Sequence, residues 1–316
     1  MENIFYLAVK NKNNNIRSKS ASGGIFSLIA EYVLQNKGIV YGVALSEDFT
    51  SAKHIRITEE KDLQKIRGSK YVQSILGDTF NRINSDLSSG KLVLFSGTPC
   101  QAKALRTFIK DDKNLIICDI VCHGVASPKI FKDYMKFLQG KNGDIDSFSF
   151  RAKERGWSNQ CWRVTYKNNK VDYSSSELNS FKNIYYKHVV HRPSCFECPF
   201  TTVDRTSDFT LGDFWGLEKV HPDFIDQLGV SLLIVHNEKA LDIWNKIKSE
   251  TDFINCKKED CLQPQLIAPV EYVSARDDFW KDVNSGSSYK TLAHKYGYPS
   301  ILRRIKRKVV NVIKGR

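Results

Sequence analysis

The sequence predicts an α/β fold, turning to mixed α+β in its second half. Its centre would be a largely parallel sheet flanked by helices, with a cysteine-bearing β-rich insertion. Three observations carry this. Up to residue 138, short apolar runs alternate with helical stretches, the pattern of strand–helix units on a parallel sheet. The stretch Lys91-Leu-Val-Leu-Phe-Ser-Gly-Thr-Pro-Cys100-Gln-Ala-Lys-Ala-Leu reads as strand, corner and helix in direct succession. After Gly143 the segments become β-like and are separated by turn residues.

Residues 10–20, rich in Asn, Lys and Ser, read as loop. Ser22-Gly23-Gly24 opens an apolar helix over residues 25–35, which Gly38 stops. Residues 39–45 form a strand, and residues 54–58 alternate like a half-buried one. Residues 59–66 are helical and end in Arg67-Gly68-Ser69-Lys70-Tyr71, and a further helix covers 76–87. At the central corner, Leu92 to Phe95 are the buried strand and Gly97 frees the backbone. Thr98 caps a helix over 99–109 that Pro99 begins. Cys100 therefore sits at the positive end of a helix dipole. Residues 114–122 are the most hydrophobic strand, ending at Cys122-His123-Gly124, and Ser127-Pro128 starts a helix to about residue 138. Residues 147–151, 161–166 and 170–173 are β-like; a helix over 178–190 leads to a second cysteine region. Strands at 207–211 and 230–235 and a helix at 239–248 follow. No internal repeat and no low-complexity linker marks a clean division.

Composition sets limits. The chain has 316 residues, enough for one elaborate domain or two packed closely together. No run of about 18 apolar residues is present, and the N-terminus lacks the basic and apolar blocks of a signal peptide, so a cytoplasmic protein is expected. Eight cysteines in such a chain are read as ligands, nucleophiles or core residues rather than as a disulfide framework. Of the net charge of +13, seven charges lie after Ser300 on Arg303, Arg304, Lys306, Arg307, Lys308, Lys314 and Arg316.

His191-Arg-Pro-Ser-Cys195-Phe-Glu-Cys198 presents two sulfurs at the spacing that serves one ion or cluster. A zinc ribbon needs a second such pair, which the sequence lacks. Cys100 and Cys122 are best placed to complete a set of four, because neighbouring parallel strands end at one edge of a sheet. Spacing alone leaves open an iron–sulfur cluster, a zinc ion and four unrelated cysteines. Cys118, Cys161, Cys256 and Cys261 read as core or incidental thiols. Ser22-Gly23-Gly24 offers an anion the N–H groups of a helix start, though a capped helix explains it equally well. It does not match G-x-G-x-x-G. Arg67 and Lys70 flank a glycine, either toward a phosphate or as a solvated turn.

Six motifs in this order resemble those of the beta-subunit family of coenzyme F420-dependent hydrogenases and dehydrogenases. They are Ser22-Gly-Gly-Ile-Phe26, Arg67-Gly-Ser-Lys-Tyr-Val-Gln73, Phe95-Ser-Gly-Thr-Pro-Cys-Gln101, Val121-Cys-His-Gly124, Arg192-Pro-Ser-Cys-Phe-Glu-Cys198 and Ser207-Asp-Phe-Thr-Leu-Gly-Asp-Phe-Trp-Gly216. The resemblance spans residues 18–248. It implies FAD and one 4Fe-4S cluster, with Cys100, Cys122, Cys195 and Cys198 as cluster ligands. Ser22, Gly23, Gly24, Arg67, Gly68, Ser69, Lys70 and Tyr71 become flavin contacts, and residues 208–216 line the cofactor cavity. The chain then divides into a flavin-side region at 1–95 and a cysteine region at 96–265 packed with it as one unit, while 266–316 reads from its own residues as a helical basic tail.

Many relatives begin with a cysteine-rich ferredoxin-like module. No cysteine precedes Cys100 here, so electrons are expected to pass to or from an external carrier, a ferredoxin or a hydride-donating coenzyme. Similar members lie in bacterial polysaccharide gene clusters beside pyruvyl transferases. The expected function is thus a flavin and iron–sulfur oxidoreductase acting on a small substrate; the alternative is a zinc-stabilised, non-redox accessory protein of a glycan-assembly complex. In the tail, Ile301, Leu302, Ile305, Val309, Val312 and Ile313 form a helical stripe with the basic residues mostly off it. That pattern suits an anionic membrane surface or packing on the body; nucleic acid is not expected, since no aromatic platform accompanies it.

Overall fold

The structure is a computed structural model, and it describes residues 4–110 and 112–299. The first elements are β1 (Phe5–Asn11), α1 (Asn14–Ser18), α2 (Ile25–Gln35), β2 (Ile39–Leu45) and β3 (Ala52–Ile57). There follow α3 (Leu63–Ile66), α4 (Thr79–Ser88), β4 (Val93–Gly97), α5 (Pro99–Phe108), β5 (Leu115–Ile120) and α6 (Pro128–Asn142). A small antiparallel sheet comprises β6 (Ile145–Ala152), β7 (Cys161–Tyr166) and β8 (Val171–Asp172). Next come α7 (Ser176–Tyr186), β9 (Phe209–Asp213), α8 (Leu217–Val220), β10 (Ser231–Val235) and α9 (Glu238–Ile247). The chain closes with β11 (Thr251–Cys256), α10 (Lys258–Cys261), α11 (Ala275–Asn284) and α12 (Tyr289–Leu292).

The large sheet has eight strands in the order β11-β1-β10-β9-β5-β4-β2-β3. Its centre, β9-β5-β4-β2, is parallel. Both flanks are antiparallel, with β3 on β2 and with β10, β1 and β11 beyond β9. The central strands are apolar throughout because helices cover both faces. Leu94 and Ile116 face the cluster made by α2 and α9, with Ile29, Val33 and Trp244. The alternate residues Val93, Phe95, Leu115 and Ile117 face Ile83, Leu87 and Leu105 of α4 and α5. A separate aromatic core joins α6, α7, α11 and the small sheet through Phe131, Tyr134, Phe150, Trp162, Phe181 and Phe279.

Several bounds differ from the sequence reading. Residues 10–20 are not all loop: β1 runs to Asn11, and Asn13 caps α1 by accepting from Asn15 and Ile16 N–H. The pairing of β1 with β10 and β11, far away in sequence, makes it a strand. The strand predicted to reach Cys122 ends at Ile120, and the helix after residue 175 ends at Tyr186. Among the described residues no helix is long and apolar enough to cross a membrane. The tail stripe from Ile301 onward lies outside the described residues.

Candidate functional site

The site starts from two parallel neighbours. β4 pairs with β5 in a register that sets Gly97 opposite Asp119, so both strands leave the sheet at the same edge. Beyond β4, Thr98 closes a capping box with Gln101, its own N–H donating to Gln101 Oε1 at 3.1 Å. Cys100 then lies exposed in the first turn of α5, with its Sγ 3.1 Å from Thr98 Oγ1. Beyond β5, Cys122 enters a tight turn in which Gly124 adopts φ +92°. A side chain at Gly124 would overlap the His191 ring and meet Cys195 Cβ at 3.4 Å. The Arg192 N–H donates to Val125 O at 3.0 Å, which draws the second cysteine segment against this turn. Cys195 ends the short helical turn Pro193–Cys195, and its N–H donates to Arg192 O at 2.9 Å.

The four thiols share one neighbourhood. Burial pushes the Cys122 thiol up to about 12; the Gly124 N–H opposes this, and Cys195, Cys100 and Cys198 push it further. Cys195 is raised by burial, with the Val125 N–H opposing and with Cys100 and Cys198 adding. Thiols raised in this way are neutral near pH 7, and a bound cationic centre is what turns such a set into thiolates. The two N–H contacts to sulfur are of the kind that tunes an iron–sulfur cluster. Among the described residues no three His, Cys, Asp or Glu side chains form a group that could hold a metal ion. Cys118 and Cys161 lie elsewhere, buried in β5 and at the start of β7.

Histidines and tyrosines wall this corner. His123 Nε2 lies 3.0 Å from His188 Nε2, and His191 Nε2 lies 2.9 Å from His123 O. Tyr185 donates to Gly124 O at 2.9 Å, and its ring stands 5.1 Å from that of Tyr71. Tyr71 stacks on Trp162 at 6.1 Å and accepts from Arg151 Nη1 at 3.4 Å. Arg151 also pairs with Asp213 at the end of β9, and Asp213 accepts from the indole N–H of Trp157 at 2.9 Å.

At Arg151 the wall meets a cavity of about 80 Å³ lined by Lys19, Arg67, Lys70, Arg151, Ser20, Ser69 and Ser149 among others. Arg67 is held by Ser27 and Glu31 at 2.8 and 3.2 Å. Lys70 Nζ donates to the carbonyls of Arg67 and Gly68 at 2.8 and 3.2 Å, and burial pulls its pKa down to about 7. Gly68 and Ser69 also line this cavity, whereas Tyr71 turns to the aromatic wall. Ser22, Gly23 and Gly24 have architectural tasks beside it. Ser22 Oγ donates to Val230 O at 2.7 Å, a side chain at Gly23 would strike the backbone of β1 and β10, and Gly24 starts α2 at φ +86°. The motif at 207–216 splits in the same way. Asp208 is buried and accepts from Ile117 N–H, Asn237, Lys239 and Arg106, whereas Asp213 serves Arg151. Sequence reasoning missed Arg151 and the histidine cluster. The available signal was an arginine within the otherwise uncharged run Ser147-Phe-Ser-Phe-Arg151 of β6.

Residues 6–78 match the profile of the coenzyme F420 hydrogenase/dehydrogenase beta subunit N-terminus, and residues 90–260 match that of its C terminus. No curated protein matches the chain significantly. Among solved structures, the chain is similar in fold to a chain of the xenon-derivatized F420-reducing [NiFe] hydrogenase complex from Methanosarcina barkeri. The TM-score is 0.56 at 17% identity, over 92% of this chain and 91% of that one. With the C-terminal profile alone covering more than half of its length, the chain belongs to the coenzyme F420 hydrogenase/dehydrogenase beta-subunit family.

Proposed function

We propose that the chain is an oxidoreductase using FAD and one 4Fe-4S cluster to move electrons between an external carrier and a small substrate. One observation carries the reading: the cation-lined cavity and the four-thiol corner are joined by an unbroken run of contacts, Arg151–Tyr71–Tyr185–Gly124. When bound, the flavin supplies hydride or two-electron chemistry and the cluster supplies single-electron transfer. Cys100, Cys122, Cys195 and Cys198 would hold the cluster, with the N–H groups of Gly124 and Val125 tuning two of the sulfurs. Arg67 and Lys70 would hold flavin phosphate, where among the described residues no acid lines the cavity. Tyr71, Tyr185 and Trp162 exclude water between the two positions. The carrier would be a ferredoxin-like protein or a hydride-donating coenzyme, and the substrate a small molecule of polysaccharide assembly.

The test is anaerobic purification with iron, sulfide, zinc and flavin analysis. Four irons and four sulfides per chain, with one flavin, support the reading. A colourless protein holding zinc alone overturns it in favour of a non-redox accessory protein.

A further inference from the structure

The loop that carries Cys195 and Cys198 is pinned at both ends, on either side of Cys122. At its start the Arg192 N–H donates to Val125 O at 3.0 Å, just after Cys122 in the chain. At its finish Arg205 reaches back to the end of β5, just before Cys122. Arg205 Nη1 donates to Asp119 Oδ1 and to Ile120 O, both at 2.9 Å. Its Nε donates to Thr202 O at 2.9 Å, and Thr201 Oγ1 donates to Cys198 O at 3.1 Å, so the turn after Cys198 is folded onto its own backbone. Val203 seats that turn in the apolar cluster of Phe214 and Leu217, against which Val121 also packs.

The ion pair is almost dry, with the Arg205 and Asp119 side chains 3% and 1% exposed. Two charges taken out of water contribute little to stability unless the remaining lone pairs are also met. Asp119 meets them, since Oδ1 accepts from Thr210 Oγ1 at 2.6 Å and Oδ2 from Ser207 Oγ at 2.8 Å. Thr210 stands opposite Asp119 in the pairing of β5 with β9, and its Oγ1 lies 2.8 Å from His236 Nε2. Ser207 and Thr210 thus hold the carboxylate to the β9 side of the sheet, whereas Arg205 carries that grip across to the cysteine loop. A planar guanidinium with acceptors in set directions fixes two segments relative to each other, which a single ammonium does less well.

We infer that Arg205, locked by Asp119, is a positioning residue that sets Cys198 in register with Cys122. The inference rests on the cluster reading only for what the four sulfurs hold; the register belongs to the metal-free chain.

The full chain is compared as wild type, Arg205→Gln, Arg205→Lys and Ser207→Ala. Metal-free, reduced chain is alkylated with iodoacetamide and the rate at each cysteine is followed by mass spectrometry. Anaerobically purified chain is analysed for iron and for its reduction potential. Ser207→Ala removes a donor from the same carboxylate without touching the cysteine loop, so it separates loss of stability from loss of register. In Arg205→Gln, Cys198 should react about tenfold faster because its loop opens locally more often. Cys100, held by α5, should keep its rate, and the buried Cys118 should stay unlabelled. Bound iron should fall, and what remains should titrate at a shifted potential. Arg205→Lys keeps the charge beside Asp119 but cannot serve every acceptor, and should lie between. Ser207→Ala should keep the wild-type Cys198 rate and potential even where its melting temperature falls as far. If Cys118 labels in Arg205→Gln, the fold has opened, and Arg205→Lys decides by the same readings. A wild-type chain without iron whose Cys198 still quickens in Arg205→Gln supports the positioning role and overturns only the cluster reading. Unchanged Cys198 reactivity in both arginine variants, or an equal rise in Ser207→Ala, overturns the positioning role.

Discussion

The Gly124 backbone lies close against the His191 ring: a Cβ built on it would come within 2.3 Å of the imidazole and 3.4 Å of Cys195 Cβ. Gly124 holds φ +92°, a value costly for other residues, and any Cβ would overlap the imidazole. Gly124→Ala should therefore cost about 2–4 kcal/mol and push Cys122 away from Cys195. The expected result is loss of most bound iron together with a lowered melting temperature. Full iron content with an unchanged melt would show that the turn is not the support of the cysteine corner.

Among the cysteines, position in the fold separates ligand from core. Single serine variants of Cys100, Cys122, Cys195 and Cys198 should each abolish the broad visible absorption and reduce iron to near zero. Cys118→Ser should keep both, because Cys118 points into the apolar cluster beneath α2. Its cost should be in stability alone, about 1–3 kcal/mol for a buried hydroxyl. Iron loss in Cys118→Ser with retention in Cys122→Ser would reassign the ligand from the strand after β4.

The centre of this fold was legible because its signals are local. Ile25–Gln35, Ile39–Leu45 and the β4–Cys100–α5 corner each carry their own apolar pattern and stop signals. The sheet edge that joins Cys100 to Cys122 follows from parallel neighbours, and that too was readable. β1 was not, since Phe5–Asn11 becomes a strand only through partners more than 220 residues away, such as Leu7 with Leu233. Arg151 escaped for a related reason. Its importance comes from Asp213 and Tyr71, neither of which its sequence neighbours reveal. Asp208 is the converse case: its motif is plain in the sequence, but its ties to β5, α5 and α9 come only with the fold.

Lys153 ties three separate segments with one ammonium. It donates to Arg17 O at 2.6 Å, to Ser22 O at 2.7 Å and to Leu228 O, fixing the turn before α2 against the loop before β10. Lys153→Met keeps the stem but orphans these carbonyls, at a cost of about 2–4 kcal/mol. Chemical denaturation should show the loss, and limited proteolysis should begin near Ser22. A variant as stable as wild type would mean that water replaces the ammonium at no cost.

Cys256 and Cys261 form a thiol pair away from the corner. Cys256, half-buried at the end of β11, has its pKa lowered by a hydrogen bond from Cys261, which is itself 1% exposed. The thiolate is the reacting form, so iodoacetamide at pH 7 should label Cys256 well before Cys261. Cys261→Ser keeps a donor and should preserve much of that rate, whereas Cys261→Ala should slow it several-fold. Mass spectrometry of the labelled peptide decides this, and equal rates in both variants would remove the hydrogen bond as the cause.

Lys70 gives the cation-lined cavity a pH dependence whose sign can be worked out. Burial lowers its pKa from 10.5 to about 7, and what faces its ammonium is carbonyl oxygen from Lys65, Arg67 and Gly68, with Lys19, Arg67 and Arg151 across the cavity. Without an anion, the unfolded chain binds the extra proton between about pH 7 and 10.5, so this group makes stability rise with pH across that window. An anion in the cavity favours the charged form, so affinity should be greatest below pH 7 and fall above it. Sulfate is the probe of choice because its own charge is constant over this range. Its stabilising shift in melting temperature should be larger at pH 6 than at pH 8.5, and Lys70→Met should flatten that difference. Lys153, also pulled down to about 7, spends its ammonium on carbonyls of other segments, so its titration should move stability without moving sulfate affinity. An equal sulfate shift at both pH values in wild type would show that Lys70 does not face the bound anion.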